Sequence, residues 1–133
     1  VKIVISNSSS VPIYEQIKNT IIEQIMSGEL AENEALPSIR ALALDIKISV
    51  MTIKKAYDEL EKEGYIISRQ GKGTFVAPQN VELLKDRKQQ EIESYLLKII
   101  DISKCYQIPK DEIIELFEYM YRSEENEKCS KNS

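Results

Sequence analysis

An α+β, mostly helical fold is predicted for this chain of 133 residues. The arrangement is an N-terminal winged helix-turn-helix followed by a two-helix C-terminal region. Three observations predict it. Two short amphipathic segments, 36–46 and 49–64, lie close together, and each contains a serine placed to cap a helix. A glycine-relieved polar turn, Arg69-Gln70-Gly71-Lys72-Gly73, separates two short β-prone runs. Beyond Ala77-Pro78-Gln79 the apolar period is helical almost to the end of the chain.

Each element has its own chemical signature. Val1-Lys2-Ile3-Val4-Ile5 suits a short strand, and Ser6-Asn7-Ser8-Ser9 a loop. Pro12 is the expected first helical residue, because its fixed φ suits a helix and its missing N–H costs nothing there. Ile13, Ile17, Ile21 and Ile25 then recur at helical spacing, with Tyr14 and Ile22 widening the stripe. Gly28 stops this helix, predicted over 12–28. Residues 29–36 form a polar connector. Ser38 caps the second helix, where Ile39, Leu42, Ala43 and Ile46 share a face that ends near Lys47-Ile48. Ser49 caps the third. Its buried face is Ile53, Ala56, Tyr57 and Leu60, which leaves Val50, Met51, Lys54 and Lys55 nearer the other side, and Gly64 ends it. Ile66 alternates with Ser68, Phe75 and Val76 return, and Gly71 and Gly73 permit the tight tip.

In the C-terminal region Val81, Leu84, Ile92, Leu96 (or Tyr95), Ile99 and Ile102 keep helical spacing, broken only by the charged run 85–91. Pro109 interrupts the pattern, and Asp111 and Glu112 sit where a helix N-terminus favours acids. Ile113, Leu116, Phe117, Met120 and Tyr121 continue the stripe. Three regions are therefore expected: a winged head over 1–77, two helices over 78–125, and a disordered tail over 126–133.

Composition excludes several classes of function. There is no histidine, and the two cysteines, Cys105 and Cys129, lack zinc or disulfide-framework spacing. Free thiols in a reducing cytosol are the simpler reading. No nucleophile motif appears, and Asp58, Glu59, Glu61 and Glu63 read as the solvated flank of a helix. An enzyme, a cofactor and a metal are therefore not expected. A nucleotide cradle at Gly71 and Gly73 fails because a strand, not a helix N-terminus, follows them. No apolar run reaches a membrane span and no signal peptide is visible, so a cytoplasmic protein without a membrane partner is expected.

The net charge is −4, but its distribution is uneven. Arg40, Lys47, Lys54 and Lys55 face a single acid, Asp45, across residues 40–55. The turn adds Arg69 and Lys72 with no acid between them. Attraction to phosphate depends on the local patch rather than on the sum. A helix-turn-helix needs a second helix with a short-sided, polar N-terminal face, and Ser49, Met51, Thr52 and Lys54 fit. Serine and threonine bond phosphates or base edges, methionine and valine meet a thymine methyl, and lysine meets phosphate or guanine. Arg40 on the preceding helix reaches the groove rim. A small basic tip such as 69–73 suits a minor groove.

Taken together these residues resemble the GntR family of bacterial winged-helix regulators, over about residues 10–77. The resemblance is carried by Pro12-Ile13-Tyr14-Glu15-Gln16-Ile17, Ser27-Gly28-Glu29-Leu30, Leu36-Pro37-Ser38-Ile39-Arg40-Ala41-Leu42-Ala43, Thr52-Ile53-Lys54-Lys55-Ala56-Tyr57, Leu60-Glu61-Lys62-Glu63-Gly64-Tyr65-Ile66 and Gly71-Lys72-Gly73-Thr74-Phe75-Val76. The opening segment and the short tail resemble its YtrA-like subfamily. The resemblance implies a homodimer on a two-fold double-stranded DNA operator, usually as a repressor and often of a transporter operon. It places DNA contacts at Arg40, at Ser49, Val50, Met51, Thr52 and Lys54, and at Gln70 and Gly71 with Lys72 beside them. Lys55 and Arg69 complete the basic set read from the residues. The two tail helices would pair subunits through Ile92, Leu96, Ile99, Ile113, Leu116, Phe117 and Met120.

The chain departs from the family at Lys47-Ile48, where Gly or Asn-like residues are common, and at Val50 and Met51, where Arg or Asn are common. The connector Glu32-Asn33-Glu34-Ala35 lacks the usual Gly-containing turn. Whether a small-molecule effector regulates the protein stays open. Tyr95, Tyr106, Phe117, Tyr119 and Tyr121 would flank such a ligand, although core packing explains them with less assumption. The alternative function is a winged-helix protein-interaction module that does not bind DNA. Such a module has no reason to keep Arg40, Lys54, Lys55, Arg69 and Lys72 together.

Overall fold

The computed structural model describes the backbone of residues 1–132 and the side chains of residues 1–125. It divides into two units, Val1–Asn80 and Val81–Ser133.

The first unit contains α1 (Ile13–Ser27), β1 (Ala35–Leu36), α2 (Ile39–Ile46), α3 (Val50–Lys62), β2 (Ile66–Arg69) and β3 (Gly73–Val76). α1 starts one residue after Pro12, which is its N-cap and not its first helical residue. It ends at Gly28, whose φ of 86° is left-handed and whose N–H returns to the Ile25 carbonyl. α2 and α3 begin as their serines predict. Ser38 accepts from the Ala41 N–H, and Ser49 from the Thr52 N–H.

The core is the meeting of these apolar faces. Ile17, Ile21 and Ile25 of α1, Leu42 and Ala43 of α2, and Ile53, Ala56, Tyr57 and Leu60 of α3 are buried with Ile66 and Val76 of the sheet. α3 packs against α1, α2 and β2, so it is the central element. Ile39 and Ile46, expected on the same buried face of α2, are only half-buried. Lys18 of α1 pairs with Glu63 at 2.6 Å and Glu59 at 3.4 Å on α3. Burial opposes the charge on Lys18, but the Glu63 hydrogen bond and the two carboxylate charges outweigh it and raise its pKa.

Tyr57 donates to the Pro37 carbonyl at 2.8 Å, tying α3 to the start of α2. Burial pushes its pKa from 10.0 up to about 12. The unfolded chain therefore loses this proton first, and stability contributed by Tyr57 falls as pH rises from 10.0 to about 12. Tyr57→Phe is expected to cost about 1–2 kcal/mol near neutral pH, because it strands a carbonyl. It should also remove that alkaline component. Denaturant melts at several pH values check both.

Three local expectations are corrected. Val1–Ile5 forms no strand. Instead the segment is held by side chains of α1: Gln16 Nε2 donates to the Ser6 and Val11 carbonyls, its Oε1 accepts from the Ser6 N–H, and Gln24 donates to the Lys2 carbonyl. Ile3 is buried as a result. Secondly, the polar connector holds a third strand. β1 pairs antiparallel with β3, matching Ala35 to Phe75 and Leu36 to Thr74, and the sheet order is β1-β3-β2. Asn33 turns the chain into it at a φ of 66°, a conformation Asn tolerates better than most residues. Thirdly, α5 (Lys110–Asn132) continues through most of the segment expected to be a disordered tail. No Gly or Pro follows Pro109, and Glu, Lys and Arg are good helix formers. The side chains of that segment, and Ser133 altogether, lie outside the described residues.

The turn between α2 and α3 carries a strained residue. Lys47 adopts φ 57° and ψ 46°, left-handed, and its N–H returns to the Ala43 carbonyl. A side chain there costs about 1–2 kcal/mol, partly offset by the entropy that glycine loses on folding. Lys47→Gly is expected to stabilise the head by about 0.5–1 kcal/mol, measured as a raised denaturation midpoint.

The second unit is α4 (Val81–Cys105), a short connection with Gln107 at φ 57°, and α5. Among its described side chains none is buried. Ile92, Leu96, Leu97, Ile99, Ile100 and Ile102 of α4 are exposed, as are Leu116, Phe117 and Met120 of α5. Cys105 is a free, exposed thiol, while Cys129 lies outside the described side chains. No described helix is long and apolar enough to cross a membrane.

Candidate nucleic-acid interface

α3 is positioned by its core face. With Ile53, Ala56, Tyr57 and Leu60 buried, the opposite side, with Met51, Lys54, Lys55 and Asp58, is turned out to solvent. The serine cap leaves the first turn open at its N-terminal end. The wing is built by register: Arg69 pairs with Gly73, and Gln70, Gly71 and Lys72 form the three-residue tip between them. The Lys72 N–H closes it on the Arg69 carbonyl at 2.9 Å. Gly71 at φ 76° supplies the left-handed residue such a loop needs.

The polar side chains among the predicted contact residues fall into two groups. Arg40, Gln70 and Lys72 are exposed and have no side-chain hydrogen bond or ion pair among the described residues. Ser49, Thr52, Lys54, Lys55 and Arg69 are engaged within the chain. Ser49 Oγ and Thr52 Oγ1 bond each other at 2.7 Å. Lys54 pairs with Asp58 at 2.7 Å, one turn along the helix. Lys55 Nζ lies 4.0 Å from the centre of the Tyr14 ring on α1. Arg69 is drawn back onto the wing body, donating to Asn33 Oδ1 at 3.3 Å and lying over Phe75. Val50 and Met51 are exposed and apolar.

Met51, Thr52, Lys54 and Lys55 are brought together with Tyr14, Asp58 and Glu59 around one open groove. Two features were missed as site elements. Lys47, counted among the cations but not assigned to the site, stands exposed and unpartnered at the turn. Its signal was the common family glycine or asparagine at that place. Leu44, one turn after Arg40, is also exposed. Of the expected subunit-pairing residues, Ile92, Leu96, Ile99, Leu116, Phe117 and Met120 are exposed and Ile113 is half-exposed. Phe117 stacks obliquely on Tyr121 at 5.7 Å. No group of described residues is arranged to hold a metal ion.

Residues 13–76 match the family described as "Bacterial regulatory proteins, gntR family". The uncharacterised HTH-type transcriptional regulator YhcF of Bacillus subtilis is 34% identical over 110 residues, 80% of this chain and 88% of that protein. The HTH-type transcriptional repressor YtrA of the same organism is 38% identical over 92 residues, 69% of this chain and 71% of YtrA. Among solved structures, a transcriptional antiterminator from Listeria monocytogenes superposes with a TM-score of 0.66 at 33% identity, covering 91% of this chain and 90% of that one. The DNA-binding domain of AraR, solved in complex with operator ORX1, superposes with a TM-score of 0.51 at 31% identity, over 58% of this chain and 96% of that one. The matched family and the two curated relatives are transcriptional regulators, not enzymes. With its winged head and helical tail, this chain belongs to the GntR family of bacterial regulatory proteins, and its resemblance within that family is to YtrA.

Proposed function

We propose that the protein is a cytoplasmic, dimeric transcriptional repressor that binds an inverted-repeat operator in double-stranded DNA. The observation that carries this reading is the outward face of α3, held by a fully formed core behind it, together with the unpartnered cations Arg40 and Lys72. In this reading α3 enters a major groove, Ser49, Val50, Met51 and Thr52 meet it first, and Lys54 and Lys55 exchange their internal partners for phosphates. Gln70, Gly71 and Lys72 approach the minor groove, with Arg69 positioned behind them. The solved complex of the AraR DNA-binding domain with its operator supports this mode of binding.

The second copy is supplied by the tail. Apolar side chains along α4 and α5 are exposed among the described residues, and apolar stripes of this extent mark an interface. A second tail is the matching surface. Two heads paired in this way would place their helices α3 about 34–36 Å apart, in successive major grooves. Control of a transporter operon, implied by the resemblance to YtrA-like regulators, belongs to the same reading.

Selection of genomic fragments by the purified protein tests it. Enrichment of one inverted-repeat motif upstream of a small number of operons is the expected result. Failure to enrich anything over random DNA would favour a protein-docking role for the winged head.

A further inference from the structure

The first turns of α3 carry apolar side chains where a base-reading helix ordinarily offers hydrogen-bonding groups. Met51 is 73% exposed and Val50 is 45% exposed. The polar residues around them are already committed. Ser49 and Thr52 share the hydrogen bond that closes the cap. Lys54 is paired with Asp58, and Lys55 lies on the Tyr14 ring. Residues 50–56 include no other polar side chain. The more exposed of the two apolar side chains at the N-terminal end of α3 is therefore a flexible thioether.

The major-groove edge of a base pair presents one apolar feature, the 5-methyl group of thymine. Methionine is unbranched and polarisable and adapts to such a contact. We infer that Met51 recognises a thymine methyl, so that each half-site carries a thymine under the start of α3. Hydrogen-bonded discrimination then falls to Arg40 on α2 and to the wing, not to α3. The inference rests on the DNA-reading function proposed above.

The test uses the full chain and the duplex most enriched when random-sequence DNA is passed over it. Each thymine of that duplex is replaced in turn by deoxyuridine, which removes only the methyl group. One position in each half-site is expected to weaken binding about fourfold, and the two together about fifteenfold, as befits the loss of one buried methyl per half-site. Met51→Ala is expected to bind the thymine and uracil duplexes equally, with an unchanged melting temperature because the side chain lies outside the core. A flat uracil scan, with the selected duplex still bound, overturns the inference and leaves DNA reading intact. A methyl effect that persists in Met51→Ala also overturns it. Failure to enrich any duplex overturns the DNA-reading function, and the inference with it.

Discussion

Replacing both Arg40 and Lys72 with alanine is expected to abolish most operator preference while leaving the head folded. Both side chains are exposed and unpartnered, so their removal opens no cavity and orphans no buried group. A guanidinium reading a base edge is worth about 1–3 kcal/mol. A lysine on phosphate contributes less but sets one unit of salt dependence. With each residue present twice in a dimer, the double variant should lose at least a hundredfold in affinity, about 2.7 kcal/mol. The salt dependence should flatten at the same time. Arg40→Ala alone should relax preference at one base position if it reads a base, and weaken all sequences alike if it grips phosphate. Fluorescence anisotropy on specific and scrambled duplexes separates these cases, and a melting curve confirms the fold. If the double variant binds as the native chain does, the interface has been assigned to the wrong face.

Charging the tail is the second large effect. Leu96→Asp with Phe117→Asp is expected to convert the proposed dimer to a monomer and to lower operator affinity by about 10²–10⁴-fold. Both residues are exposed in the single chain, so neither substitution touches the core of the head. A carboxylate at a covered apolar interface costs several kcal/mol unless it is paired. The loss in DNA binding follows from losing the second half-site, not from any change in the first. Sedimentation should show one chain in place of two, and the melting transition of the head should stay where it was. A dimer that survives both charges would show that these stripes are not the pairing surface.

Much of the head was legible because its boundaries are set by short-range chemistry. Ser38 and Ser49 cap through their own side chains, Gly28 and Gly64 take left-handed φ, and the tip glycines relieve a tight loop. Such signals act over a few residues and can be read from spacing. The misses depend on contacts between distant residues. Val1–Ile5 alternates like a strand, yet it is held by Gln16 and Gln24, and nothing local in a glutamine announces this. β1 has only two residues and exists because β3 presents an edge to it. Lys47 adopts a left-handed conformation at the C-terminus of α2 that its side chain resists.

The site was legible as a set of residue types but less so as a set of free groups. The pairing of Lys54 with Asp58 was visible in principle, since the two stand four apart on one helix face. The stacking of Lys55 on Tyr14 and of Arg69 on Phe75 needs the fold. What remains free is a smaller set than composition implies: Arg40, Lys47 and Lys72 as cations, with Met51 as the leading apolar contact.

The most direct test of operator reading by a dimer is a titration of the full chain onto its enriched duplex at increasing salt. Arg40, Lys47 and Lys72 from two heads provide six cations without internal partners, and Lys54 and Lys55 add to them as they exchange theirs for phosphates. Between about 50 and about 200 mM salt the slope of log K against log salt should then be about −5 or steeper. Saturation should come at two chains per duplex, with a scrambled duplex bound far more weakly. Saturation at one chain, or equal affinity for the scrambled duplex, would contradict the account.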